Sequence, residues 1–157
     1  MVSGLSSFYF IKSDSNLYCY YKSNKLLYLT TVKRVINTKK APTAIGPYSQ
    51  AVFANNTLYV SGQIAIIPDT GDIDLSSIKS ETEQIMKNLQ AVLESVDMTF
   101  SNVVKCTIFL KCMSFYDEVN KVYSKYFQID PPAREAVAVS TLPKNVNVEI
   151  SLIAVKL

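Results

Sequence analysis

From Val146 to Val155 the chain alternates strictly. Val146, Val148, Ile150, Leu152 and Ala154 share one face of an extended segment, and Asn147, Glu149, Ser151, Ile153 and Val155 share the other. Such a run needs a sheet around it, with its wholly apolar face against a core. The second face is not fully polar either: Ile153 and Val155, together with Tyr59 from an earlier strand, need a cover, and a neighbouring subunit is the simplest one. Glu149 is thereby expected on the face away from the helices.

Upstream, the same periodicities predict further strands and two helices. Arg34-Val35-Ile36 reads as a strand before the turn-prone Ala41-Pro42 and Gly46-Pro47. Gln50 to Phe53 and Thr57 to Ser61, joined by Asn55-Asn56, read as a hairpin, and Pro68 to Asp72 as a loop. From about Ser80 to Val96, Ile85, Met86, Leu89, Val92, Leu93 and Val96 recur at helical spacing behind a capping box, Ser80-Glu81-Thr82-Glu83. Val104, Cys106, Ile108 and Leu110 alternate with Lys105, Thr107, Phe109 and Lys111 as a strand. A second helix opens at Ser114 and Asp117, carries Phe115, Val119, Val122, Tyr123, Tyr126 and Phe127, and stops before Pro131-Pro132. Arg134 to Ser140 forms another strand before the turn Leu142 to Asn145. The order β-β-β-α-β-α-β-β predicts an α+β fold, a mixed six-stranded sheet with two helices on one face. With 157 residues, 48% of them apolar, the chain holds one such domain, expected over residues 33–157.

Charge separates that domain from what precedes it. Residues 1–40 hold seven cationic residues and one acid, so with +3 overall the remainder carries −3. A basic, Ser/Asn/Tyr-rich leader over residues 1–32 has the composition of a mitochondrial or plastid targeting segment; a basic extension on a cytoplasmic protein is the alternative. Its apolar clusters, Phe8 to Ile11 and Leu26 to Leu29, fall far short of the roughly 20 residues that cross a bilayer. Cys19, Cys106 and Cys112 have neither metal-ligand spacing nor an even count, and Cys106 reads as a reduced core residue. With no histidine in the chain, His-based triads and His-ligated zinc are excluded, and no metal is expected. Acid–base chemistry falls to carboxylates, Lys, Tyr, Cys or water.

Two charged residues on this scaffold suggest a site. Arg134, in Pro131-Pro132-Ala133-Arg134, and Glu149, read with Ala44 to Gln50 and Ser61-Gly62-Gln63-Ile64, suggest a pocket that holds a small carboxylate beside a water-activating acid. A guanidinium grips a planar carboxylate through two parallel charge-assisted hydrogen bonds, which lysine does not reproduce. Plainer uses stand beside these: a solvated strand start for Arg134, a cross-strand charge for Glu149, a packed loop ring for Tyr48, bulge geometry for Gly62, and a buried structural amide for Asn88.

The ordered set of segments resembles the RidA/YjgF family, also called the reactive-intermediate imine deaminase or L-PSP endoribonuclease family. It comprises Ala41-Pro42, Ala44 to Gln50, Ser61 to Ile64, Gly71, Asn88-Leu89, Ala91 to Glu94, Val104-Lys105, Pro132-Ala133-Arg134, Leu142-Pro143-Lys144 and Val148-Glu149-Ile150. The resemblance implies a chorismate-mutase-like fold assembled as a homotrimeric barrel with sites between subunits. It implies hydrolysis of 2-imino and enamine acids such as 2-iminobutanoate and 2-iminopropanoate to 2-oxo acids and ammonia, with no cofactor. Arg134, Glu149 and Tyr48 would be catalytic, and Arg134, Ala136, Gly62, Ser61 and Asn88 would bind substrate; Arg134 and Ala136, sharing strand parity, would both face the pocket. Ala136 replaces a cysteine common in the family, and Asp97 replaces a helix-ending glycine. The family's older name carries a second reading, RNA cleavage or binding, against which stand the −3 charge of residues 41–157 and the lack of an RNP-like aromatic pattern. A non-catalytic, chaperone-like ligand-binding trimer is a third. No membrane partner is expected.

Overall fold

The computed structural model describes residues 33–156, together with the backbones of three strands among residues 9–27. Those three, β1 (Tyr9–Ser13), β2 (Asn16–Tyr21) and β3 (Lys25–Leu27), form an antiparallel meander within a unit that ends at Lys33. The leader's side chains, including those of Phe8 to Ile11, lie outside the described residues.

Residues 34–157 form the second unit. Its strands are β4 (Arg34–Ile36), β5 (Ala51–Ala54), β6 (Thr57–Gln63), β7 (Val103–Leu110), β8 (Ala133–Ala138) and β9 (Val148–Val155), arranged as β4-β5-β6-β9-β7-β8. Neighbours are antiparallel except β7 and β8, which run parallel and are joined by a crossover carrying helix α2 (Tyr116–Tyr123). Helix α1 (Ile78–Glu94) lies between β6 and β7 in the chain. The mixed six-stranded sheet and the two helices match the sequence reading. In the β5–β6 hairpin, Asn55 and Asn56 have φ of 48° and 60°, the left-handed pair that a two-residue turn requires and asparagine tolerates.

The alternation of β9 sets the layers. Val148, Ile150, Leu152 and Ala154 are buried with Ile85, Met86, Leu89, Val92 and Leu93 of α1 and Val119, Val122 and Tyr123 of α2. Each fully buried Leu or Ile contributes about 1.5–3 kcal/mol, so Leu89→Ala in this core would cost about 2–5 kcal/mol. Cys106, free and 1% exposed, belongs to the same core, as its strand position predicted. The opposite face keeps Tyr59, Val35 and Val137 exposed.

Three local expectations are corrected. Helix α1 begins earlier than the Ser80 box: its cap is Ser77, whose hydroxyl accepts the Ser80 N–H at 3.0 Å. In β7 a register slip between Val103 and Lys105 buries Val103 and leaves Val104 48% exposed, because a bulge inserts one residue and reverses the phase before it. Helix α2 starts at Tyr116 after a 3-10 turn (Met113–Phe115) and ends at Tyr123; Tyr126 and Phe127 lie beyond it and pack on Phe100. After α1, Asp97 has φ of 58° while the Met98 N–H closes on the Leu93 carbonyl at 3.0 Å, so an aspartate holds the left-handed position glycine usually takes.

Candidate active site

Glu149 faces away from the helices, opposite Phe109 of β7. The β6–β9 pairing slips between Val60↔Leu152 and Gln63↔Ile150, so that Ser61 and Gly62 together span the stretch opposite Ser151. This bulge brings the Gly62 backbone against the Glu149 side chain. A Cβ at position 62 would lie 1.8 Å from Glu149 Oε1 and 2.7 Å from its Cδ, so only glycine leaves the Glu149 carboxyl in this seat. Half-buried, the Glu149 carboxyl is pushed above the ordinary carboxylate range by desolvation.

The surrounding cleft has a volume of about 330 Å³. Its outer wall is the loop from Pro42 to Tyr48, its floor Ser61 to Ile64, and Ile66 and Pro143 close the side. Gln50, 2% exposed, pins the loop: its Nε2 donates to the carbonyls of Thr38, Ala41 and Pro42 at 3.0, 3.2 and 2.7 Å, and its Oε1 accepts the Thr38 N–H at 2.7 Å. Ser61 Oγ donates to the Ser49 carbonyl at 2.7 Å, tying floor to wall. Tyr48 lines the cleft half-exposed, its hydroxyl accepting the Ile45 N–H at 3.3 Å.

Asn88 does not reach the cleft. Only 1% exposed, it donates to the Ile64 and Ile66 carbonyls at 3.1 and 2.9 Å and so braces the wall from behind; as a substrate contact it is corrected to a structural amide.

A second brace was missed in the sequence. Glu81, in the first turn of α1 and fully buried, accepts the backbone N–H groups of Asn147 and Val148 at 2.8 and 3.0 Å and the Asn147 side-chain amide at 2.9 Å. These bonds fix the chain immediately before Glu149. A buried carboxylate with three donors is stable where an unpaired one would not be.

Arg134 is placed elsewhere. In β8 it pairs with Cys106, and Ala136 with Ile108, so both turn toward the helix side, while Glu149 occupies the other face. Within a single copy the sheet therefore separates Arg134 and Ala136 from Glu149. The Arg134 guanidinium lies 4.9 Å from the Tyr123 ring centroid, donating Nη1–H to Asn120 Oδ1 at 2.7 Å and Nη2–H to the Tyr116 hydroxyl at 2.9 Å. Two of its five N–H donors are engaged and three remain, enough for a bidentate carboxylate. Asn120 and Tyr116 were also missed; their four-residue spacing, which puts both on one helix face, was the available signal.

The second unit thus presents an acid in a mostly apolar cleft on one face of the sheet and, at the sheet edge on the other, a caged guanidinium. Among the described residues no cluster of His, Cys, Asp and Glu could hold a metal ion, and no helix is long and apolar enough to cross a membrane.

Comparison with known proteins joins these observations. The family model described as Endoribonuclease L-PSP matches residues 38–156. The human protein named 2-iminobutanoate/2-iminopropanoate deaminase is 42% identical over 125 residues, 80% of this chain and 91% of its own. Reactive Intermediate Deaminase A, chloroplastic, of Arabidopsis thaliana is 43% identical over 78% of this chain and 65% of its own. The crystal structure of TdcF of E. coli with bound serine superposes with a TM-score of 0.76 at 34% identity, covering 80% of this chain and all of that one. With that family model matching almost all of the second unit and relatives above 40% identity over most of the chain, the chain belongs to the L-PSP endoribonuclease, or RidA/YjgF, family.

Proposed function

We propose that the chain hydrolyses 2-imino acids, 2-iminobutanoate and 2-iminopropanoate among them, to 2-oxo acids and ammonia. The observation that carries this reading is the half-buried Glu149 carboxyl seated against Gly62 in a cleft with apolar walls. A protonated imine is already electrophilic, so a base beside it has only to take a proton from water as that oxygen bonds to the C=N carbon. The proton then passes to nitrogen, the C–N bond breaks as Glu149 takes the remaining hydroxyl proton and the carbonyl forms, and that proton leaves with ammonia as ammonium. Arg134 grips the substrate carboxylate, and the Tyr48 hydroxyl and Ser61 line the approach. The human relative's name and the serine carried by the E. coli structure, itself a small 2-amino acid, agree with this substrate class. None of the cleft's lining residues is Lys or Arg, which disfavours a polyanionic RNA substrate.

Arg134 and Glu149 act on one substrate only if they come from different copies. The exposed apolar residues of the open face, Tyr59, Val35 and Val137, supply a surface for that contact, and a trimer with three shared sites satisfies both needs. The experiment generates 2-iminobutanoate with a threonine dehydratase and follows 2-oxobutanoate. Arg134→Ala and Glu149→Gln should each lose turnover, and co-expressed mixtures of the two should recover activity that neither has alone. Activity retained in Arg134→Ala would end the carboxylate-clamp reading. Absence of recovery in demonstrated mixed trimers would end the shared site.

The basic residues 1–32 are proposed to direct the domain to an organelle, in keeping with the chloroplastic Arabidopsis relative. A reporter fused to them should leave the cytosol, and a diffuse signal would refute the assignment.

A further inference from the structure

We propose that the hydroxyl of Tyr116 is a substrate-binding donor that acts beside Arg134 on the same carboxylate, an assignment that rests on the imino-acid reading above. Tyr116 opens α2 and is half-buried, with its hydroxyl oxygen accepting the Arg134 Nη2–H at 2.9 Å. A phenol has one proton to donate as well as lone pairs to accept with. Because the guanidinium has no acceptor, the proton of Tyr116 points away from Arg134 and is free for another partner.

Geometry identifies that partner. Asn120 Oδ1 takes one Nη1–H at 2.7 Å, and the Tyr123 ring covers one side of the guanidinium with its centroid 4.9 Å from Cζ. The remaining N–H groups project from the planar fork, where a carboxylate binds through two parallel bonds. A carboxylate oxygen placed beside Nη2 comes within reach of the hydroxyl that Nη2 already touches. Each carboxylate oxygen accepts more than one hydrogen bond, so one oxygen takes both Nη2–H and the Tyr116 O–H. Phenylalanine at this position would keep the ring 5.6 Å from the guanidinium and lose the hydroxyl, both the acceptor for Nη2–H and the proposed donor to the ligand.

Calorimetric titration of the full chain with 2-oxobutanoate, the stable product carboxylate, reads the contact without turnover. Arg134→Ala should abolish binding. Tyr116→Phe should weaken it about tenfold with the melting temperature unchanged, the loss of one hydrogen bond to a charged group. A 3-fluorotyrosine at position 116 separates a donor to ligand from a mere prop for Arg134, since fluorination strengthens the O–H as donor and weakens its oxygen as acceptor. At a pH where the phenol stays protonated it should tighten binding. Unchanged binding in Arg134→Ala would overturn the clamp and the proposal with it. Loss in Arg134→Ala but full affinity in Tyr116→Phe, or weaker binding with fluorotyrosine, would overturn the role of Tyr116 alone.

Discussion

Glu149 and Arg134 are held by opposite means. Glu149 stands on a central strand, fixed from below by the Gly62 bulge and from behind by a buried carboxylate on α1, and no charged partner shifts its titration. Arg134 stands on the edge strand β8, held through its own head group by Asn120, Tyr116 and Tyr123. In the first arrangement partial burial raises the carboxyl's proton affinity while leaving it open to the cleft. The second aims a planar, forked cation, for which direction is what the surroundings supply. A group that must exchange a proton belongs in the interior of the sheet, and a group that must grip can stand at its rim.

The sharpest way to break this contrast is to remove the exchangeable proton. Glu149→Gln should lower kcat roughly 10²–10⁴-fold, the range of a general base, with little change in carboxylate affinity; a large loss of affinity instead would erase the division of labour. In the wild type, kcat/KM should rise with pH as Glu149 ionises, centred above the usual carboxyl range. Stability should move the other way. Because the folded state favours the neutral acid, that contribution is fully present below the unfolded carboxyl pKa and is lost as pH climbs through the raised folded value. Urea midpoints across this window should fall in the wild type and stay flatter in Glu149→Gln.

Next in size is Glu81→Ala, which strips the acceptor from two backbone N–H groups and one side-chain amide at the start of β9. It should destabilise by about 2–5 kcal/mol in urea unfolding, with Glu81→Gln recovering much of the loss. Equal stability of the alanine variant and the wild type would show that the rear brace is dispensable. The smallest effect serves as a control on both halves. Asp97→Gly relieves the left-handed φ of 58° remote from either group, and should stabilise by about 0.5–1 kcal/mol without altering turnover.

What the sequence made legible was what repeats along the chain. The alternation of β9, the Asn55-Asn56 hairpin, the apolar stripe of α1 and the left-handed Asp97 are local patterns, and all appear in the fold. What it hid depends on single insertions or on distant partners. The bulge before Lys105 changes the register by one residue without breaking the apolar pattern, so the alternation alone groups Val104 with Cys106, Ile108 and Leu110. Ser80 with Glu83 imitates a helix start three residues inside the real one. Glu81 looks like an ordinary solvated helix acid until Asn147, 66 residues away, folds onto it. Parity placed Glu149 on the correct face but could not compare it with Arg134, since the faces of two strands are related only once their register is known.

The 1.8 Å approach at Gly62 has a consequence for variation in this protein. A side chain gained at position 62 would push the Glu149 carboxyl out of its present seat, so the residue at the first position sets the placement of the second. If the proposed activity holds, the range of acids accepted would be set by Ile45, Ile66 and Pro143, which line the same cleft.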